Sequence, residues 1–144
     1  MPIWFKPISL DDLNAYQQET LVSHLGIRYT GIGDDWLQAT MPVDARTKQP
    51  AGILHGGASV ALAETLGSTG ANLVVDREKM LCVGLEINAN HVRAMREGSV
   101  TGIARPLHLG GTTQVWEIRI NDAEERLVCV SRITMAVLDR ALLR

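Results

Sequence analysis

Gly52-Ile53-Leu54-His55-Gly56-Gly57-Ala58-Ser59-Val60-Ala61-Leu62-Ala63-Glu64-Thr65 is the stretch that decides how this chain is read. A Gly-rich turn opens a helix of small apolar residues, and one ionisable side chain, Glu64, stands near its middle. The residues one turn away are Val60, Ala61, Gly67 and Ser68, so a solvated stripe fits the position poorly. A carboxylate in such surroundings is costly to bury unless it is paired or used. The plain alternative is a core carboxylate satisfied by a neighbour. The first N–H groups of a helix lack intrahelical partners and suit an anion. A carboxylate together with oxyanion donors is the equipment of acyl hydrolysis.

The glycine pair lets backbone approach a ligand closely, so the N–H of Gly56 or of Gly57 can meet a carbonyl oxygen. His55 either supports the turn or adds a donor. Ser68, four residues beyond Glu64 on the same face, can orient a water or the carboxylate, or simply pack a helix crossing. Gly56 and Glu64 are eight residues apart, roughly 12 Å of helical rise and about 80° around the axis. One carbonyl does not reach both on a single helix. If both act on one bond, two antiparallel copies of the helix must share the site across a symmetric dimer. Gln49, in the preceding loop, has an amide that donates to a carbonyl or orients a nucleophile, although a loop glutamine is ordinarily just solvated.

The rest of the chain supplies the frame. Its 144 residues fit one domain, 1–144, with a real core. A hydrophobic share of 46% and a charged share of 21% are ordinary for a globular protein. The net charge of -2 gives no support to a nucleic-acid role. The opening Met1-Pro2-Ile3-Trp4-Phe5-Lys6 lacks the apolar run of a signal peptide. The helix near Ala58–Val75, rich in Gly, Ala and Ser and interrupted by Glu64, reads as a buried central helix rather than a membrane span. The expected compartment is the cytoplasm. Cys82 and Cys129 lie in strand-like runs with no metal spacing and read as reduced core thiols.

Ser9 and Asp12 make a capping-box variant that opens a first helix of about Leu10–His24, ended by Gly26. Ile27–Gly31 and Asp35–Pro42 read as strands, as do Met80–Arg93, Gly98–Leu107, Thr112–Asn121 and Arg126–Leu138. Trp116, Ile118 and Ile120 face one way, and Val115, Glu117 and Arg119 the other. The last four strands, joined by short connections, predict an antiparallel sheet. The preceding helix is too apolar for a solvent face of its own, so the sheet is expected to wrap around it in an α+β architecture.

Two further clusters stand out. His91 and Arg93 alternate with Ile87 and Ala89 on one strand face, a pair suited to a phosphate or simply an exposed edge. Gly110-Gly111-Thr112, after His108, is either a turn passing close to a phosphate or an ordinary hairpin. No Walker loop, Rossmann fingerprint, Ser nucleophile elbow or metal site is present in the sequence.

Taken together, Thr47-Lys48-Gln49-Pro50, His55-Gly56-Gly57-Ala58-Ser59 and Ala63-Glu64-Thr65 resemble the hotdog-fold acyl-CoA thioesterases, in the 4-hydroxybenzoyl-CoA thioesterase branch that uses Glu. Leu25-Gly26-Ile27, Ala39–Asp44, Gly84–His91 and Pro106–Gly110 extend the similarity from Trp4 to Leu138. Within the branch it is most similar to the enzymes acting on dihydroxynaphthoyl-CoA and to the proofreading enzymes that clear aryl carrier proteins.

The resemblance implies a hotdog fold, an antiparallel sheet wrapped around a long central helix. It implies a homodimer with shared active sites, paired into a tetramer. It implies hydrolysis of aroyl-CoA, such as hydroxybenzoyl- or dihydroxynaphthoyl-CoA, without metal or cofactor, since CoA is part of the substrate. Glu64 becomes the nucleophile or general base and Gly56 the oxyanion donor. Gln49 and His55 position the thioester, and Ser68 assists the water. His91, Arg93, Gly110, Gly111 and Thr112 fall near the CoA nucleotide. Gly70-Ala71-Asn72 departs from bulkier residues in the branch after the catalytic stretch, which leaves the acyl specificity open. A carrier-protein thioester, as in siderophore proofreading, and a non-catalytic acyl-CoA-binding role are the alternatives. Menaquinone synthesis and CoA recovery are further settings that fit.

Overall fold

His55 begins the central helix because its extended backbone and its imidazole together cap the first turn. The chain is described by a computed structural model over residues 1–143. In order it forms helices α1 (Leu10–Ala15) and α2 (Leu21–His24), strands β1 (Arg28–Ile32) and β2 (Leu37–Pro42), helix α3 (Gly56–Val74), then strands β3 (Met80–His91), β4 (Ser99–Leu109), β5 (Thr113–Asn121) and β6 (Leu127–Asp139). A short 3-10 helix, Arg140–Leu142, follows.

All six strands make one antiparallel sheet in the order β1-β2-β4-β5-β6-β3. It curls around α3, which touches β2 through β6. The wrapped α+β arrangement expected from the sequence is therefore present. Leu62, Ala63, Leu66 and Ala71 of α3 are fully buried against Trp116, Ile118 and Ile120 of β5 and Ile133 and Met135 of β6. The alternation anticipated for β5 is thus the observed one. The N-terminal segment closes one end: Trp4 donates from its indole to Gly33 O at 2.7 Å and stacks on Trp116 with 6.4 Å between ring centroids.

Two expectations change, and the strand order adds a further finding. The first helix is two helices. Ser9 and Asp12 do form the capping box of α1, but Glu19 takes a positive φ of 58°, which breaks the helix before Thr20 opens α2. Second, β3 is not a hairpin neighbour of β4. It lies on the far edge beside β6, and the 92–98 connection passes under the start of α3, where Met95 O accepts from Leu54 N–H at 2.7 Å. Short connections suggest hairpins, but a sheet that wraps a helix can send a short link around its end.

Third, α3 is not covered on every side within one chain. Val60, Ala61, Thr65, Ser68, Thr69 and Asn72 are half-buried, and Glu64 is exposed. This stripe faces α1, α2 and the β3 edge instead of the sheet interior.

Cys82 and Cys129 are free and buried, and burial pushes both thiols above their usual pKa. No helix among the described residues is long and apolar enough to cross a membrane.

Candidate active site

The loop before α3 is set by a few hydrogen bonds. Thr47 is buried, donates from Oγ1 to Pro42 O at 2.7 Å, and its carbonyl accepts from His55 N–H at 2.8 Å. Gln49 Oε1 accepts from Ala51 N–H at 2.6 Å. Only the oxygen of an amide can accept, so the Gln49 NH2 is the end left to meet a ligand.

His55 Nδ1 accepts from Gly57 N–H at 2.8 Å. An accepting Nδ1 is unprotonated, so the neutral ring carries its hydrogen on Nε2 and presents a donor. The same contact separates the two glycines. The N–H of Gly57 is taken by His55, while that of Gly56 has no hydrogen-bond partner among the described residues. A Cβ at Gly56 would lie 2.9 Å from His91 Nε2, and one at Gly57 2.9 Å from His55 Nδ1. Each glycine leaves room for an imidazole.

Gln49, Gly56, His91 and Arg93 line one cavity of about 400 Å³. His91 reaches it because of a bulge. Gly84 pairs with Met135 and Glu86 with Thr134, which leaves Leu85 extra. The extra residue shifts the alternation, so Ile87, Ala89 and His91 point toward α3. Arg93 lies past the end of β3, with its N–H donating to Val128 O at 3.3 Å, and does not continue the strand face as expected.

Glu64 does not line that cavity. It borders a second one of about 500 Å³ with Gln17, Tyr29, Ser68, Thr69 and Asn72, and an apolar cleft of about 340 Å³ with Leu21, Val22, Leu25 and Val60. Its carboxylate hangs over the free sheet edge: a Cβ at Gly84 would lie 3.3 Å from Glu64 Oε1. The helix arithmetic therefore holds in three dimensions. Within one chain the free Gly56 N–H and the Glu64 carboxylate face different cavities. In chemical terms, one holds oriented donors and the other a carboxylate beside a serine hydroxyl.

The Gly110-Gly111-Thr112 turn is not near His91 and Arg93. On β6, Thr113 is opposite Ala136 and His91 opposite Cys129, seven residues apart. That is about 23 Å at roughly 3.3 Å per residue. Successive turns of an antiparallel sheet alternate between its ends, which residue types do not reveal.

The Gly70-Ala71-Asn72 departure has a packing basis. A Cβ at Gly70 would come within 2.9 Å of the Trp116 ring, and Ala71 is fully buried. Asn72 clamps the edge strand: Oδ1 accepts from Cys82 N–H at 2.9 Å, and Nδ2 donates to Cys82 O at 3.0 Å and Ser68 O at 2.9 Å. Of the three, only Asn72 borders the Glu64 cavity.

Gln17, Tyr29 and Thr69 were not singled out from the sequence, and Asn72 was named only as part of a departure from the branch. Thr69 and Asn72 were open to it, being five and eight residues past Glu64 on neighbouring helical rows. Gln17 and Tyr29 arrive from other elements, and no local pattern marks them.

Comparison with known proteins adds a third line. The profile of the thioesterase superfamily matches residues 51–129. The 1,4-dihydroxy-2-naphthoyl-CoA hydrolase of Escherichia coli is 57% identical over 136 residues, 94% of this chain and 99% of the relative. The proofreading thioesterase EntH of Cronobacter turicensis is 54% identical over 136 residues, 94% of this chain and 98% of its own. The crystal structure of a mutant thioesterase from Pseudomonas aeruginosa superposes with a TM-score of 0.94 at 50% identity, covering 95% of this chain and 99% of that one.

Proposed function

The chain belongs to the thioesterase superfamily, and from that premise we propose that it hydrolyses an aroyl-type acyl-CoA thioester to the free acid and CoA. The carrying observation is the division of labour at the start of α3. His55 takes the Gly57 N–H, which leaves the Gly56 N–H open, while Glu64 stands at a separate cavity beside the free β3 edge.

In this reading two chains pair through that edge, where Leu85 is 62% exposed and Val83 is also uncovered. An unpaired strand edge with apolar side chains invites a second strand. Each site then takes Glu64 from one chain and Gly56, Gln49 and His55 from the other. The thioester oxygen accepts from the Gly56 N–H, with the Gln49 NH2 and the His55 Nε2–H orienting the thioester. Charge developing on that oxygen is stabilised by donors already aimed at it. Glu64 either attacks the carbonyl carbon and expels the thiolate of CoA, giving a mixed anhydride that water then cleaves to the free acid and the Glu64 carboxylate, or deprotonates water held with Ser68, which attacks the carbonyl and expels the thiolate. His91 and Arg93 bind CoA phosphate. The Gly110–Thr112 turn would reach the nucleotide only from another chain. Neither metal nor bound cofactor enters the scheme. Pairing of dimers into a tetramer and a cytoplasmic location are parts of the same proposal.

The relatives favour two substrate forms. One is named for an acyl-CoA and the other for proofreading. A carrier-protein thioester is therefore the second reading, and a dihydroxynaphthoyl group would place the reaction in menaquinone synthesis. The test is a thioester panel with free-thiol detection, run on the parent and on Glu64→Gln. The parent should prefer benzoyl-CoA to acetyl-CoA. Glu64→Gln should lose at least about 10³-fold in kcat. Turnover within about tenfold of the parent would remove Glu64 from the chemical step.

A further inference from the structure

The Asn72 side chain closes part of the free β3 edge. Cys82 is opposite Val137 on β6, but Val137 N–H donates to Thr112 O, away from β3. The backbone groups of Cys82 therefore point outward, and Asn72 takes both. Cys82 N–H donates to Oδ1 at 2.9 Å, and Cys82 O accepts from Nδ2 at 3.0 Å. Nδ2 also donates to Ser68 O at 2.9 Å, which ties the amide to α3.

The groups left open follow from alternation along an antiparallel ladder. Gly84, two residues past Cys82, faces outward. At the Leu85 bulge the parity changes. Val92 N–H donates to Val128 O, so Val92, Asn90 and Asn88 face β6, while His91, Ala89 and Ile87 face outward. The free set is thus Gly84, Ile87, Ala89 and His91, with Cys82 removed from it.

Two antiparallel copies related by a two-fold axis match this set to its own reverse. Gly84 then lies opposite the partner's His91, Ile87 opposite the partner's Ala89, and Asn88 sits on the axis. Gly84 is beside Glu64, and His91 is beside Gly56 in its own chain. This register therefore carries Glu64 to the partner's Gly56, as a shared site requires. With Cys82 open, the set would have five members and its centre would move to Ile87. Cys82 would then meet the partner's His91, a slip of two residues, about 7 Å at roughly 3.4 Å per residue. A slip of two keeps every side chain on its own face, so the hydrophobic pattern does not oppose it.

We propose that Asn72 is a positioning residue for the shared site: by occupying the Cys82 edge it excludes the slipped pairing and fixes the register that sets Glu64 against the partner's Gly56. The inference rests on the pairing of chains through β3 in the thioesterase reading, and adds the register and the residue that sets it.

The test places a reporter on the axis. Asn88 is exposed, and its side chain points away from α3, opposite to Ile87 and Ala89. In the expected register two Asn88→Cys side chains form a non-hydrogen-bonded pair with Cα atoms about 4.5 Å apart, within the span of a disulfide. Oxidised glutathione should link Asn88→Cys dimers, whereas the parent, whose Cys82 and Cys129 are buried, should stay unlinked. Asn72→Ala should lower kcat at least about tenfold in folded, dimeric protein, since even a 1 Å misplacement can cost about 10²-fold. The disulfide traps the unslipped register, so oxidised Asn72→Ala/Asn88→Cys should regain at least about half the activity of oxidised Asn88→Cys. Dithiothreitol should remove that gain. Asn72→Asp, of the same size, keeps only the bond from Cys82 N–H and takes the place of Asn72→Ala in the rescue if the latter does not fold. A kcat within about threefold of the parent in the Asn72 variant overturns the proposal. So does a loss that the disulfide leaves in place, which marks a packing role. A dimeric parent whose Asn88→Cys form does not cross-link overturns the register while the shared-site reading stands. A parent that sediments as a monomer with full turnover overturns that reading, and this one with it.

Discussion

At the scale of single residues, the His-Gly-Gly triplet makes most sense as two imidazoles and the room they need. His55 occupies the Gly57 N–H, and His91 occupies the space a Gly56 side chain would fill. The sequence left Gly56 and Gly57 as equal donors because both begin the helix; the cap contact alone separates them. Gln49 shows the same limit. From the sequence it is a loop glutamine, whereas in the fold its oxygen is committed to Ala51 N–H and its NH2 is the free end. Gln49→Glu should therefore keep the loop, because a carboxylate oxygen accepts from Ala51 as the amide does. It should lose the donor and lower kcat roughly 10²- to 10³-fold, the size of losing one oxyanion-hole donor. Steady-state kinetics with a thermal unfolding curve checks this. A kcat within about threefold of the parent, in folded protein, would put the Gln49 NH2 away from the reacting carbonyl.

At the scale of elements, the strands from Met80 onward were readable within about two residues, because turn residues punctuate strongly alternating runs. The first helix was not. Its apolar spacing continues past Ala15, but Glu19 leaves the helical region and Thr20 starts a new cap. The β5–β6 hairpin carries an element-level prediction. Burial alone would raise the pKa of Asp122, but bonds from the Arg126 backbone and guanidinium and from Glu124 N–H hold its carboxyl below the usual carboxylate range. A depressed carboxyl pKa contributes stability above the unfolded value of about 3.9, and the contribution is lost as pH falls through the lower folded value. Denaturant unfolding of the parent and Asp122→Asn should show the parent ahead at neutral pH, with the gap closing in acid. A gap independent of pH would place the contribution of Asp122 in neutral hydrogen bonding instead.

At the scale of the whole molecule, the separation of Gly56 from Glu64 predicts a site completed by a second copy. Gly56→Pro removes the donor and is tolerated in a first helical turn, at the cost of displacing the exposed His91 ring. Glu64→Ala removes the carboxylate. Each variant alone should be nearly inactive. Mixed dimers would hold one doubly damaged and one intact site, so random pairing should restore about a quarter of the parent activity per site. Isolated mixed dimers with native-like folding and no recovery would instead mean that each chain builds its own site. Leu85→Arg approaches the same question from the β3 edge. It should yield monomers by sedimentation and abolish turnover while leaving Glu64, Gln49 and His55 in place.

The residues from Gly52 to Thr65 by themselves determined the central helix, its capped Gly-rich start and the lone carboxylate on it, because these follow from composition and from a period of 3.6 residues. The same arithmetic ruled out a single helix serving one carbonyl from both positions. Only tertiary structure decided that β3 leaves its sequence neighbour for the far edge, that a bulge at Leu85 turns His91 toward Gly56, and that Gln17 and Tyr29 meet Thr69 beside Glu64. Local patterns record what each segment can form. Which segments meet is settled by burying the apolar faces of α3 and the sheet together, and that free energy belongs to no single stretch of the chain.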